Sequence, residues 1–311
     1  SLVLIRMNGG TAMMRILGIV GVQICICVPI IVFQFCKGKE FFSKEYWGYA
    51  LRIGIPIVPH YLSGIILNQG DRIMIDKMVG KTEVALYGLA YSIGMLVQLF
   101  ISGMNSALTP WMYSKIKKGD IRSMRKVLQL LSVVVVGIAV ALMLISPELV
   151  LIFGSPKYRE AVYVIPPVAA SVFFIFIYNI LSMPQFYYEK TQFLMAASMA
   201  AAGANVVLNF IFIRLFGYIA AGYTTLACYM LYSVGHYIVS KRILVNEGIQ
   251  ENLMSPGFLV ACSAFLIGAS IICNLIFPYR ILRYAILLAS AGLVFWKKEL
   301  LLKTMADIRK K

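Results

Sequence analysis

The residues best placed to do chemistry lie along one otherwise apolar stretch, residues 48–76. There Arg52, Pro56, Pro59, His60, Ser63, Gly64, Asn68 and Asp71 recur at helical spacing and form one polar stripe. An ionisable group at membrane depth costs roughly 2.5–3.5 kcal/mol on insertion scales, so Arg52, His60 and Asp71 are functional candidates by default. Pro56 and Pro59 bend such a helix and free backbone carbonyls, which are tolerated at depth only where protein or water satisfies them. The stripe therefore reads as the wall of a hydrated cavity. His60 and Asp71 are ionisable groups on that wall.

The following stretch carries Tyr91, Gln98, Ser102, Asn105 and Thr109, a stripe of amides and hydroxyls without charge that suits hydrogen bonding to sugar hydroxyls. Farther on come Tyr178, Asn179, Ser182 and Gln185, then Asn205 with Asn209, then Tyr229, Tyr232, Ser233 and His236. Structural readings stand beside these. Asparagines at i, i+4 are ordinary glue between membrane helices. Asp71 with Arg72 could be an ion pair or an interfacial anchor, Arg52 could snorkel to the headgroups, and His236 beside Lys241 reads as interfacial.

The elements that position these residues are membrane helices. Nine apolar stretches follow one another at about 14–36, 48–76, 83–110, 125–153, 160–185, 191–214, 218–240, 256–278 and 280–297, each near the roughly 20 residues a crossing needs. The chain is 60% hydrophobic and 14% charged with mean hydropathy +0.83, so its solvent is mostly lipid. The expected fold class is all-α, a polytopic membrane helix bundle. Helices one, four, eight and nine are uniformly apolar and face lipid; the others have a wet face.

Connections are short and punctuated, as at Lys37-Gly38-Lys39 and Lys117-Lys118-Gly119-Asp120. Basic residues concentrate on one side: Lys37, Lys39 and Lys44, the cluster from Lys115 to Lys126, Lys190, Lys241, Arg242 and the tail from Lys297 to Lys311. That asymmetry places the C-terminus in the cytoplasm and the start of the chain outside. The net charge of +16 orients helices and meets anionic lipid, with no role in nucleic-acid binding. The six cysteines lack metal-ligand spacing and read as packing residues. No metal site and no cofactor is expected. The chain starts at Ser1 without a signal peptide, and an odd crossing number reads as a chain lacking an N-terminal part.

Residues 54–80, GIPIVPHYLSGIILNQGDRIMIDKMVG, and 83–111, EVALYGLAYSIGMLVQLFISGMNSALTPW, resemble the seventh and eighth helices of polysaccharide-biosynthesis flippases. These belong to the multidrug/oligosaccharidyl-lipid/polysaccharide exporter superfamily. The carrying pattern is G-x-P-x-x-P-H, then D-R-x-x-I, then V-x-x-Y-x-x-A-Y. Residues 149–167, LVLIFGSPKYREAVYVIPP, resemble the end of the family's ninth helix and the start of its tenth. The resemblance implies helices six to fourteen of a fourteen-helix, two-lobe transporter. Residues 1–47 would be the last helix of an incomplete N-terminal lobe with a cytoplasmic linker, 48–245 a six-helix C-terminal lobe, and 246–311 two further helices with a basic tail.

The implied activity is movement of polyprenyl-diphosphate-linked oligosaccharide units across the cell (inner) membrane by alternating access, for O-antigen, capsule or exopolysaccharide. Candidate cavity residues are Arg52, His60, Ser63, Asn68, Gln98, Ser102, Asn105 and Asn179, with Arg52 and His60 toward the diphosphate; the resemblance also implies His60 or Asp71 as the group that titrates or holds a coupling ion. The implied partners are the lipid-linked oligosaccharide, membrane lipids and a polysaccharide polymerase machinery. A multidrug–cation antiporter of the same superfamily is the nearest rival, though Asp71 is the one acid set within a polar stripe. An enzyme is not expected, because no paired carboxylate, nucleophile elbow or glycine-rich phosphate loop occurs.

Overall fold

The computed structural model describes residues 12–39 and 42–296, which are helical and contain no strand among them. The helices are α1 Ala12–Gly38, α2 Lys44–Met78, α3 Lys81–Gly94, α4 Leu96–Lys117, α5 Ile121–Phe153, α6 Ile165–Tyr187, α7 Thr191–Phe216, α8 Ala220–Asn246, α9 Pro256–Ile276 and α10 Arg280–Trp296. A 3₁₀ segment, Pro156–Val164, leads into α6. The basic tail from Lys297 and the start through Thr11 lie outside the described residues.

The all-α membrane bundle is as expected. The stretch read as one helix over 83–110 is two, α3 and α4, broken at Met95, whose ψ of 1° leaves the helical ladder. Among the described residues seven spans are long and apolar enough to cross a bilayer: α1, α2, α3 with α4, α5, the 3₁₀ segment with α6, α7, and α9. The other two expected crossings have identifiable reasons for falling outside that set. α8 has length, 27 residues, but it carries Thr224, Thr225, Tyr229, Tyr232, Ser233, His236 and Ser240, all turned into the protein and buried. α10 is described over only 17 residues.

The chain divides into two compact units, Ser1–Gly54 and Ile55–Lys311. In the first, α1 exposes nearly every side chain from Ile16 to Phe35, as a helix solvated by lipid does. In the second, α6 is the central post. Through Ile177 it is almost wholly apolar and buried on all sides, with Phe173 and Phe176 fully enclosed, and it packs most extensively on α8 and also on α3, α4, α5 and α9. Small residues set its closest approaches. A Cβ at Gly94 would lie 2.7 Å from Val168 Cγ1, and one at Gly222 would lie 3.1 Å from Pro167 Cγ.

Polar ties hold the ends. Asp120 caps α5 by accepting from the Ser123 amide and pairs with Lys115 at 2.7 Å. On α10, Arg283 is buried and donates to both oxygens of Glu148 on α5 at 2.7 and 2.8 Å, and to the Leu144 carbonyl at 2.6 Å. Gly217, with φ 73°, closes α7 in a conformation that glycine alone adopts freely.

Candidate functional site

Within the second unit, α2 turns Ser63, Leu67, Asp71 and Ile75 inward at steps of four. This face meets α3, α7 and α8 through side-chain hydrogen bonds. Asp71 is fully buried and accepts from three neutral donors: Tyr87 OH on α3 at 2.5 Å, Asn209 Nδ2 on α7 at 2.5 Å and Thr225 Oγ1 on α8 at 2.6 Å. Asn209 Nδ2 also reaches Asn205 Oδ1 at 3.1 Å, and Thr224 Oγ1 donates to Asn209 Oδ1. The Asn205 amide nitrogen is buried without a partner.

Asp71 forms no ion pair among the described residues. Arg72 does not supply one: it donates to Gln69 Oε1 at 2.9 Å, and its guanidinium lies 5.1 Å from the Tyr91 ring centre. A carboxylate held by donors from three other helices and neutralised by no cation among the described residues is an expensive arrangement in a membrane helix bundle.

Three further polar clusters continue from Asp71 along the inside of the lobe. Asn68 Oδ1 accepts from Tyr91 OH at 2.7 Å and Tyr229 OH at 3.3 Å, while its Nδ2 donates to the Gly64 carbonyl at 2.7 Å. About two turns along lies His60, whose Nδ1 is 2.5 Å from Ser198 Oγ and 3.1 Å from Tyr232 OH. Last comes His236, fully buried, with Nδ1 2.8 Å from Gln185 Nε2. Because that amide nitrogen donates, Nδ1 accepts and the ring proton sits on Nε2, which is buried and unpartnered. Tyr178 joins the clusters, its ring 4.4 Å from that of Tyr232, 5.8 Å from His236 and 6.3 Å from Tyr229. Asp71 and His60 are eleven residues apart, about 16 Å along a helix.

Of the sequence candidates, His60, Asn68 and Asp71 are thus drawn into one column between α2, α3, α7 and α8. Ser63 is buried beside them and donates to the Pro59 carbonyl at 2.7 Å, a bond within its own helix. Gln98, Ser102 and Asn105 on α4 and Asn179 on α6 exchange no hydrogen bond with the column. Ser102 is exposed and bonds back to Leu99 at 2.8 Å, while Gln98 Oε1 and Asn105 Oδ1 have no partner. Arg52 is an exposed residue of the first unit.

His236 is turned into the protein, where its ring stacks on Tyr178 and bonds Gln185. Thr224, Thr225 and Ser198 were not legible as site residues: a hydroxyl in an apolar stretch looks the same whether it bonds its own helix or a neighbour. Tyr87 stood in the V-x-x-Y-x-x-A-Y pattern without a partner to give it a role. Among the described residues no group of acidic, histidine and cysteine side chains is arranged to hold a metal ion.

Residues 2–117, which end with α4, match the family described as polysaccharide biosynthesis protein. This bears out the resemblance read from residues 54–111; residues 149–167 lie outside the matched range. A protein of the Lsg locus of Haemophilus influenzae is 28% identical over 172 residues, covering 52% of this chain and 41% of that protein. A membrane protein of the same organism is 29% identical over 167 residues, covering 50% of this chain and 40% of its own. The chain thus matches less than half the length of these relatives. No solved structure matches it. The chain is a multi-pass membrane protein similar to polysaccharide biosynthesis proteins.

Proposed function

From that similarity as premise, we propose that this protein works as a flippase, not an enzyme. It moves polyprenyl-diphosphate-linked oligosaccharide units across the cell membrane for polysaccharide assembly, with its C-terminus in the cytoplasm. The observation that carries the reading is the column built around Asp71: a carboxylate without a counter-ion is retained inside a lipid-immersed helix bundle where an apolar residue would be cheaper. Such groups mark ion and proton pathways, and a lobe that changes charge state can be rocked against its counterpart in alternating access.

In this reading Asp71 and His60 serve coupling. A proton or cation taken up at Asp71 alters how strongly α2 is held to α3, α7 and α8, since three hydrogen bonds from three helices end on that one carboxylate. Arg52, with its exposed guanidinium, attracts the substrate diphosphate. Gln98, Ser102, Asn105 and Asn179, which keep unbonded or exposed polar groups, meet the sugar. The polyprenyl chain remains in lipid. A polymerase that extends the sugar chain is the downstream partner.

The test is reconstitution in liposomes, with flipping of a polyprenyl-diphosphate oligosaccharide followed with and without an imposed proton or sodium gradient. Flipping that the gradient accelerates, and that falls in Arg52→Ala and His60→Ala variants of unchanged helicity, is the expected result. Uptake of cationic dyes with no flipping would replace the reading by a multidrug–cation antiporter. Chemical conversion of the substrate would make the protein an enzyme.

A further inference from the structure

A groove of about 430 Å³ runs between α6, α8 and α9, away from the Asp71 column. Its walls include Phe174, Ile177, Val234, Leu259, Val260 and Ile267. Val234 and Val260 are 54% and 69% exposed, so the groove opens sideways onto the surroundings of the helices, which in a membrane are lipid chains. On α9 it extends from Pro256 to Ile267, eleven residues or about 16 Å. That is half of the roughly 30 Å hydrocarbon core, the depth of one leaflet.

The end of the groove near Pro256 is polar and basic. Tyr237 lines it, and Ser240 follows one turn on along α8; both hydroxyls are buried without a partner. The side-chain oxygen of Asn252 is likewise unpartnered. Arg125 on α5 donates through Nε to the Asn252 carbonyl at 2.7 Å, and its charge acts on the Tyr237 phenol. The terminal nitrogens of Arg125 bond no described residue. Arg122, Lys126, Lys241 and Arg242 are exposed at the same helix ends. The acids there are Asp120, paired with Lys115 at 2.7 Å, Glu251, engaged by Arg122 at 3.2 Å, and the exposed Glu247.

We propose that this groove binds one anionic glycerophospholipid, with an acyl chain along α9 and the headgroup phosphate at Arg125, beside Tyr237. Apolar burial holds the chain, and the phosphate accepts from the guanidinium and the Tyr237 hydroxyl, which otherwise stays unpaired. A hydroxyl-bearing headgroup such as glycerol also offers a donor to Asn252. The depth of one leaflet selects a phospholipid chain over a polyprenyl chain, which is longer. The site pins α9 to the lobe and does not depend on what the protein transports.

The measurement is native mass spectrometry of the protein released from nanodiscs of mixed phosphatidylglycerol and phosphatidylcholine. The wild type should retain one phosphatidylglycerol in preference to phosphatidylcholine. Arg125→Gln should bind it about fivefold more weakly, the worth of one cation beside the headgroup. Ala264→Trp, which fills the groove from an exposed position, should retain none. Should that variant not fold, Val260→Trp reads the same point. Equal retention of both lipids, retention unchanged in Arg125→Gln and the tryptophan variant, or displacement by polyprenyl phosphate at lower concentration would each overturn the assignment.

Discussion

Replacing Asp71 separates a coupling role from a packing role, because two substitutions remove the charge in structurally different ways. Asp71→Asn keeps the shape and one acceptor oxygen, and the hydroxyls of Tyr87 and Thr225 can turn to accept from the new amide. Asp71→Leu leaves both hydroxyls without an acceptor, while Asn209 still reaches Asn205. A buried polar group left unsatisfied costs about 1–3 kcal/mol. Leucine should therefore be less stable than asparagine by roughly 2–6 kcal/mol, seen as a lower midpoint in thermal or denaturant unfolding of the detergent-solubilised protein. Flipping in liposomes should lose its response to an imposed gradient in both variants, because neither side chain can gain or lose charge. An asparagine variant whose flipping the gradient accelerates as in the wild type would refute coupling at Asp71. A leucine variant as stable as the asparagine variant would refute the hydrogen-bond reasoning itself.

Other consequences concern the packing around the site. Arg283→Met strips Glu148 of its bidentate partner and should destabilise by about 3 kcal/mol, the low end for a broken buried pair, because Glu148 keeps a quarter of its side chain exposed. Glu148→Met with Arg283→Met should recover most of that in a double-mutant cycle of unfolding midpoints. Gly94→Ala should cost about 1–3 kcal/mol, since its new methyl would meet both Val168 Cγ1 and Cβ within 3.0 Å, and thermal unfolding reads this directly. In the turn between α7 and α8, burial pushes the Tyr218 phenol up to about 12, with Glu160 and Glu83 adding to the rise, and its hydroxyl has no partner. Tyr218→Phe should accordingly leave stability unchanged or raise it by up to about 1 kcal/mol, and a loss beyond that in the same unfolding assay would reveal a bonded hydroxyl.

Composition and periodicity were enough to read an all-α membrane bundle, because an unpaired backbone in lipid leaves helices as the form an apolar run of this length can take. The stripe on α2 was likewise legible. Proline, histidine, asparagine and aspartate at helical spacing have few reasons to lie in an apolar stretch, and His60, Asn68 and Asp71 do share an interior face. The interruption at Met95 was not legible, since no proline marks it in the sequence.

Partners were the other thing sequence could not supply. Asp71 could as well have paired with adjacent Arg72. Its donors come from Tyr87, Asn209 and Thr225, the last two more than 130 positions away. For His236 the sequence offered nearness to Lys241, and only packing supplied its partners Tyr178 and Gln185 on α6. Spacing along a helix says which residues share a face, and that much the chain itself determined. Whether the face meets lipid, water or three other helices depends on how the helices pack, and packing alone decided that the carboxylate of Asp71 would be sealed among neutral donors.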